Sequence, residues 1–139
     1  MNHPDQRYIL GFPEMDTQHE YCYRLFDAIV PAAASGDRAR MGALLHEIEH
    51  YLMFHFECEE HLMRMYGVPS FANHQSDHEH AARRLIRFLD DFEAGTLQPA
   101  ALRIFLAGWL MEHSAMSDSE YVEWILRCRK SAVEELGDR

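Results

Sequence analysis

The chain is poor in what builds a disulfide framework, a sheet or a membrane span. It has three cysteines, Cys22, Cys58 and Cys128, an odd number without CxxC spacing. That excludes a stapled secreted scaffold and a thiolate zinc knuckle, and it fits a reducing cytoplasm. β-Branched residues are sparse, which removes the usual material of strands. The N-terminal MNHPDQRYIL lacks a basic region followed by a long apolar run, and Arg103 and Glu112 interrupt the apolar stretch near Leu110. Neither a signal peptide nor a spanning helix is expected. Basic charge is short too: Lys+Arg number 13 against 23 Asp+Glu, for a formal charge of -10. Neutralising phosphates needs a basic face, so no nucleic-acid partner is expected, and nothing favours an anionic membrane. The 139 residues suffice for a single domain with a sizeable core, expected to be cytoplasmic.

No repeat, low-complexity tract or linker divides the chain; glycine and proline instead punctuate long helical stretches. An irregular arm is expected over residues 1–15. Asp16 or Thr17 can cap a helix over about 16–34, ended by Pro31 and Gly36, and Asp37 one over about 37–66, stopped by Gly67 and Pro69. Ser70 can cap a third over about 70–94, and Pro99 opens a fourth over about 99–116. A terminal helix follows over about 120–136. The fold class predicted is all-α: an antiparallel up-down-up-down four-helix bundle with an N-terminal arm and a C-terminal helical extension. Such bundles hold cofactors on ligands projecting inward from facing helices.

Seven residues fit that role: His19, the pair His55 and Glu59, the pair His74 and His78, then His113 and Asp118. Residues four apart on a helix share a face. With His55 at zero on a helical wheel, Glu59 lies at about +40°, and Met41, Leu44, Leu45, Ile48, Leu52, Phe56, Leu62 and Met63 lie between roughly -20° and +100°. The pair thus sits inside the apolar stripe. His46, His50 and His61 point the other way, at about 180° to 240°. On the next helix His74 and His78 share their stripe with Phe71, Ala81, Ala82, Leu85, Phe88, Leu89 and Phe92, while His80 lies about 240° round. His113 aligns with Leu102, Leu106, Trp109 and Leu110. Asp118 does not follow, because five residues turn a straight α-helix about 140° past His113. The helix is therefore expected to break or distort there, where Ser114, Ser117 and Ser119 compete for backbone hydrogen bonds.

A lone inward histidine is ordinarily a hydrogen-bonded core residue, but a carboxylate on an apolar stripe is costly unless paired or metal-bound. Imidazole and carboxylate donors without thiolate suit iron, manganese or zinc, and seven are too many for one ion. If Glu59 and Asp118 bridge two ions together with a solvent oxygen, five histidines divide three and two. One ion is then six-coordinate, and the other keeps an open position for a small molecule. A hydrolase would keep a spare acid or base beside its substrate; none is evident.

The pattern H…HxxxE…HxxxH…HxxxxD resembles the bacterial hemerythrins over nearly the whole chain. GFPEMDTQH at 11–19, HFECEEHLM at 55–63, YGVPSFANHQSDH at 66–78 and WLMEHSAMSD at 109–118 carry the likeness. The resemblance implies two iron ions, oxo- or hydroxo-bridged, that bind dioxygen reversibly for oxygen storage, delivery or sensing, rather than an enzyme. It implies that His74, His78 and His113 hold the six-coordinate iron, His19 and His55 the other, and that Glu59 and Asp118 bridge. Cys22, Phe56, Trp109, Leu110 and Ser114 are candidates for the oxygen pocket. The chain departs from the family at Tyr8, where the arm commonly has tryptophan, and in YGVP, where a second aromatic often precedes the proline. It departs again at Ser114, where isoleucine is common; Ser114 and Cys22 are both expected to make the pocket more polar. Two alternatives are a di-iron peroxidase or oxidase and a redox or iron-responsive signalling module. Ferritin-like sites use two Glu-x-x-His motifs, and only Glu47/His50 has that spacing, on the outward face. Sensing usually needs an output domain, for which no length remains. Tyr121, Trp124, Ile125 and Cys128 on the terminal helix either dock a protein partner or pack on the bundle.

Overall fold

The computed structural model describes residues 10–137. Tyr8 and the first nine positions of the expected arm lie outside the described residues. The chain runs through α1 (Pro13–Asp27), α2 (Ile29–Ala34), α3 (Arg38–Met65), α4 (Phe71–Ala94), α5 (Pro99–His113), a π-helical segment (Ser114–Asp118) and α6 (Ser119–Gly137). No strand occurs among the described residues. α1 packs on α3 and α5, α3 on α4, and α4 on α5, which closes a four-helix bundle.

Three boundaries differ from the sequence expectation. The first helix begins at Pro13 rather than residue 16, because proline in the first turn has its φ preset and lacks only an N–H that would be orphaned anyway. Asp16 therefore does not cap. Its carboxylate reaches back to accept from the backbone N–H groups of Leu10, Gly11 and Phe12 at 2.7, 3.0 and 3.2 Å, tying the arm to the helix start. The expected helix over 16–34 is interrupted at Ala28. Pro31 cannot donate to the Asp27 carbonyl and its ring would strike it, so α1 ends there. The expected gap between the fourth and terminal helices is absent: the π segment joins α5 to α6 without a break. Asp37 caps α3, accepting from Arg40 N–H at 3.0 Å, whereas Ser70 makes no side-chain cap at α4. Gly95 closes α4 at φ +77, a conformation that suits only glycine readily.

Two apolar clusters form the core. One gathers Cys22, Phe26, Ile48, Leu52, Phe56, Leu85, Leu102, Leu106 and Leu110. The other gathers Phe12, Met15, Met63, Val68, Tyr121, Val122 and Ile125. Along the helices six of the seven candidate ligands fall between them, as His19 between Met15 and Cys22, Glu59 between Phe56 and Met63, and Asp118 between Leu110 and Tyr121, while His55 lies at the edge of the first cluster between Leu52 and Phe56. The terminal helix thus packs on its own bundle, and Trp124 Nε1 donates to the Tyr66 carbonyl at 2.9 Å. Each fully buried leucine contributes about 1.5–3 kcal/mol, so the apolar layers on either side hold a polar middle in place. Among the described residues no helix is long and apolar enough to cross a membrane.

Candidate metal centre

All seven candidate ligands are buried and converge. They form two groups whose ligand atoms lie within 4.8 Å of one another: Glu59, His74, His78 and His113, and His19, His55, Glu59 and Asp118. The π segment makes the second group possible. Its i→i+5 hydrogen bonding brings residues five apart onto one face, which returns Asp118 to the side of His113.

Each carboxylate divides its oxygens between the groups. Glu59 Oε2 lies 2.7 Å from His74 Nε2 and 3.4 Å from His78 Nε2, while its Oε1 contacts His55 Nε2. Asp118 Oδ1 is 3.1 Å from both His74 and His113 Nε2, and its Oδ2 is 3.4 Å from His19 Nε2. Within the three-histidine group His113 Nε2 lies 3.0 Å from His74 Nε2 and 3.2 Å from His78 Nε2. Donors about 2.1 Å from one ion stand about 3.0 Å apart at right angles, about 3.4 Å apart at tetrahedral corners and about 4.2 Å apart at opposite corners. The imidazole spacings favour an octahedral arrangement, and Glu59 Oε2 at 4.0 Å from His113 Nε2 sits where an opposite corner would be. Buried atoms at Glu59 Oε1, His55 Nε2 and both Asp118 oxygens have contacts but no hydrogen bond of good geometry. Buried donor atoms of this kind are what a cation would satisfy.

The electrostatics agree. Burial pushes Glu59 and Asp118 towards the neutral form, and Glu59 adds to that pressure on Asp118, yet the imidazoles hold both carboxyls below the usual range. His55 and His19 act most on Glu59, His113 on Asp118. Burial works against a charged His19 or His74, but the facing carboxylates of Asp118 and Glu59 raise them to about 10 and about 9. Protons therefore occupy the positions of positive charge, and cations have to displace them on entry.

Other contacts orient the rings. His55 Nδ1 donates to Gln18 Oε1 at 2.7 Å, and His78 Nδ1 to Glu60 Oε2 at 3.1 Å; Gln75 Nε2 holds the other Glu60 oxygen at 2.8 Å. With Nδ1 engaged, each Nε2 turns its lone pair inward. Sequence reasoning missed Gln18, Glu60 and Gln75 because they act across helices; their one signal was adjacency to ligands in TQH, CEEH and NHQ. Gln18→Ala is expected to weaken cation binding roughly 10–100-fold. Calorimetric titration with a divalent cation checks this, and an unchanged affinity would remove Gln18 from the site.

Of the oxygen-pocket candidates, Phe56 stacks on His78 with centroids 4.0 Å apart, and Trp109 on His113 at 4.5 Å. Both stack on the three-histidine group, and the Phe56 ring also lies 6.0 Å from that of His55 in the two-histidine group. Leu110, Cys22 and Ser114 are buried, and Ser114 Oγ has no hydrogen-bond partner. His46, His50, His61 and His80 are exposed. Tyr121, which the sequence left open, is fully buried with its ring edge on His74 at 5.3 Å. Burial, then Glu59 and Asp118, raise its phenol well above the ordinary value.

A helical bundle that converges two overlapping histidine–carboxylate groups on its middle layer defines a binuclear cation-binding protein. The model of the hemerythrin HHE cation binding domain matches residues 10–125, and the chain belongs to the hemerythrin family. A bacteriohemerythrin of Stenotrophomonas maltophilia is 31% identical over 116 residues, 84% of this chain and 76% of that protein. One of Methylococcus capsulatus is 27% identical over 107 residues, 76% of this chain and 82% of that protein. The crystal structure of wild-type hemerythrin superposes with a TM-score of 0.81 at 24% identity, covering 90% of this chain and 97% of that one, and shows the shared fold. Membership supports a di-iron, oxygen-binding protein.

Proposed function

We propose that the centre holds two iron ions, oxo- or hydroxo-bridged, and binds dioxygen reversibly for oxygen storage, delivery or sensing in the cytoplasm. In this reading His74, His78 and His113 hold one ion, His19 and His55 the other, and Glu59 and Asp118 serve both. The observation that carries it is the division of each carboxylate's oxygens between a three-imidazole and a two-imidazole group. The iron pair, when bound, supplies electrons and an open coordination position. The chain's own residues do the rest. Gln18 and Glu60 fix imidazole rings, the carboxylates balance the cations' charge, and Leu110, Phe56 and the second apolar cluster keep bulk water out. Glu60, the nearest spare acid, is engaged by His78 and Gln75, which disfavours general acid–base hydrolysis. Glu47 and His50 are exposed, which disfavours a ferritin-like oxidase.

A visible spectrum tests the reading. Bands that disappear on deoxygenation and return on readmission of oxygen support it, and a colourless zinc-loaded protein overturns it. Ser114 bears on how long oxygen is held, because its buried unpartnered hydroxyl adds polarity beside His113. The site is too enclosed for isoleucine without overpacking, so alanine is the cleaner change. Ser114→Ala is expected to slow autoxidation several-fold in stopped-flow measurements, and an equal rate would refute the role of the hydroxyl.

A further inference from the structure

We infer that Glu60 is a positioning residue that makes the two cation positions unequal: its carboxylate turns His78 into the stronger donor, so the three-imidazole position takes a divalent cation first and holds it more tightly. The inference rests on the metal reading above and concerns charge as well as ring direction. Glu60 Oε2 lies 3.1 Å from His78 Nδ1, and a carboxylate can only accept, so Nδ1 carries the ring proton and the Nε2 lone pair is left for a cation. The carboxylate is itself held, because Gln75 Nε2 donates to its Oε1 at 2.8 Å. Gln75 and His78 stand three residues apart on one face of α4, and Glu60 reaches them both from α3. Its side chain is 15% exposed, and Phe56 lies flat on the His78 ring with centroids 4.0 Å apart at 9°, which limits screening of the pair by water. The two-imidazole group is built differently. There His55 Nδ1 meets Gln18 Oε1 at 2.7 Å, a neutral amide in the place of the carboxylate. Both acceptors orient a ring, but only Glu60 adds negative charge behind it. A hydrogen bond to a charged acceptor is roughly twice as strong as one to a neutral acceptor. A ring proton drawn towards a carboxylate also leaves the opposite nitrogen more basic and a better ligand. Asp77 adds charge of the same sign on the same side: its Oδ2 is 3.9 Å from His113 Nδ1, beyond hydrogen-bond reach and half exposed, so its effect is the smaller.

The test titrates cobalt(II) into the full chain as wild type, Glu60→Gln and Gln18→Glu, followed by calorimetry and by the ligand-field bands of the ion. Glutamine at 60 keeps an oxygen for His78 Nδ1, and the Gln75 amide can turn to accept from the new amide, so the ring stays oriented and only the charge is lost. Without cobalt both variants are expected to melt close to wild type. Wild type is expected to load in two steps. Glu60→Gln should weaken the first step roughly tenfold, shift its bands and leave the second nearly unchanged. Gln18→Glu, which puts a carboxylate behind His55, should tighten the second step several-fold and leave the first. If Glu60 did no more than orient the ring, Glu60→Gln would bind as wild type does, and that result would overturn the inference alone. So would two ions taken up in a single step, a loss falling on the second step or on both steps equally, or a Gln18→Glu titration that matches wild type. A wild-type protein that takes up no cobalt would overturn the metal reading and this inference with it.

Discussion

Replacing Glu59 with alanine is expected to abolish binding of the cation pair while the bundle still folds. Glu59 is the residue that touches most of the site: His55 with one oxygen, His74 and His78 with the other. Its loss removes a donor from each ion and the charge that balances them, and Asp118 alone cannot span both groups as well. In the cation-free protein the cost is smaller. His19 and His74 lose the partner that helps keep them protonated and can turn neutral, so the change costs about 1–3 kcal/mol in lost hydrogen bonds. A cation at 100 times its dissociation constant stabilises the native state by about 2.7 kcal/mol, or about 10 °C for a chain of this size. Thermal melts should show that gain in wild type and none in Glu59→Ala, with elemental analysis giving two ions per chain and fewer than one. Two ions bound at wild-type affinity by the variant would refute the ligand role of Glu59.

The periodic parts of the molecule are those the sequence makes legible. At about 100° per residue, His55 and Glu59 share a stripe with Ile48 and Leu52, and His46 and His50 cannot, whatever the rest of the chain does. The same arithmetic reads His74 and His78. It also marks Asp118 as irregular and the serines around it as a place for distortion, though not which distortion: a break, a 3₁₀ turn and a π turn look alike in SAMSD. The interruption at Ala28 was readable in principle, since Pro31 removes the hydrogen bond to Asp27, but the boundary signals of Pro31 and Gly36 merge when a helix is read only for its end. Contacts between helices were not legible. Gln18 meets His55 and Glu60 meets His78 across the bundle, so no spacing within one segment encodes them. Phe56 and Trp109 show the same limit: sequence places them next to ligands, and only packing decides that they stack on the three-histidine side. Tyr121 reads as one aromatic of an amphipathic helix until the continuous π junction fixes the phase of α6 and turns it inward.

That junction makes the register of Asp118 testable. Deleting Met116 is expected to convert the π segment into continuous α-helix, preserve the fold and retain the cation pair. Met116 is 74% exposed, so its removal costs little packing. A π segment behaves as one extra residue in an α-helix; without it the ladder returns to i→i+4 bonding. Asp118 then stands four residues after His113, the spacing of His55 to Glu59 and His74 to His78, and Tyr121, Val122 and Ile125 keep their phase against the second apolar cluster. The opposite change keeps the composition and moves only the carboxylate. In the double variant Ser117→Asp/Asp118→Ser, the acid turns roughly 80–100° away from the metal centre, and binding of the pair is expected to be lost with helix content unchanged. Circular dichroism and cation stoichiometry on both variants separate the possibilities. A deletion variant that folds but binds no pair would mean that the π geometry itself is required, not merely the direction it gives Asp118. A double variant that still binds two ions would remove Asp118 from the ligand set. Because the two variants alter the same five-residue segment in opposite senses, a general loss of helix stability there would affect both, and only the direction of the carboxylate predicts that they diverge.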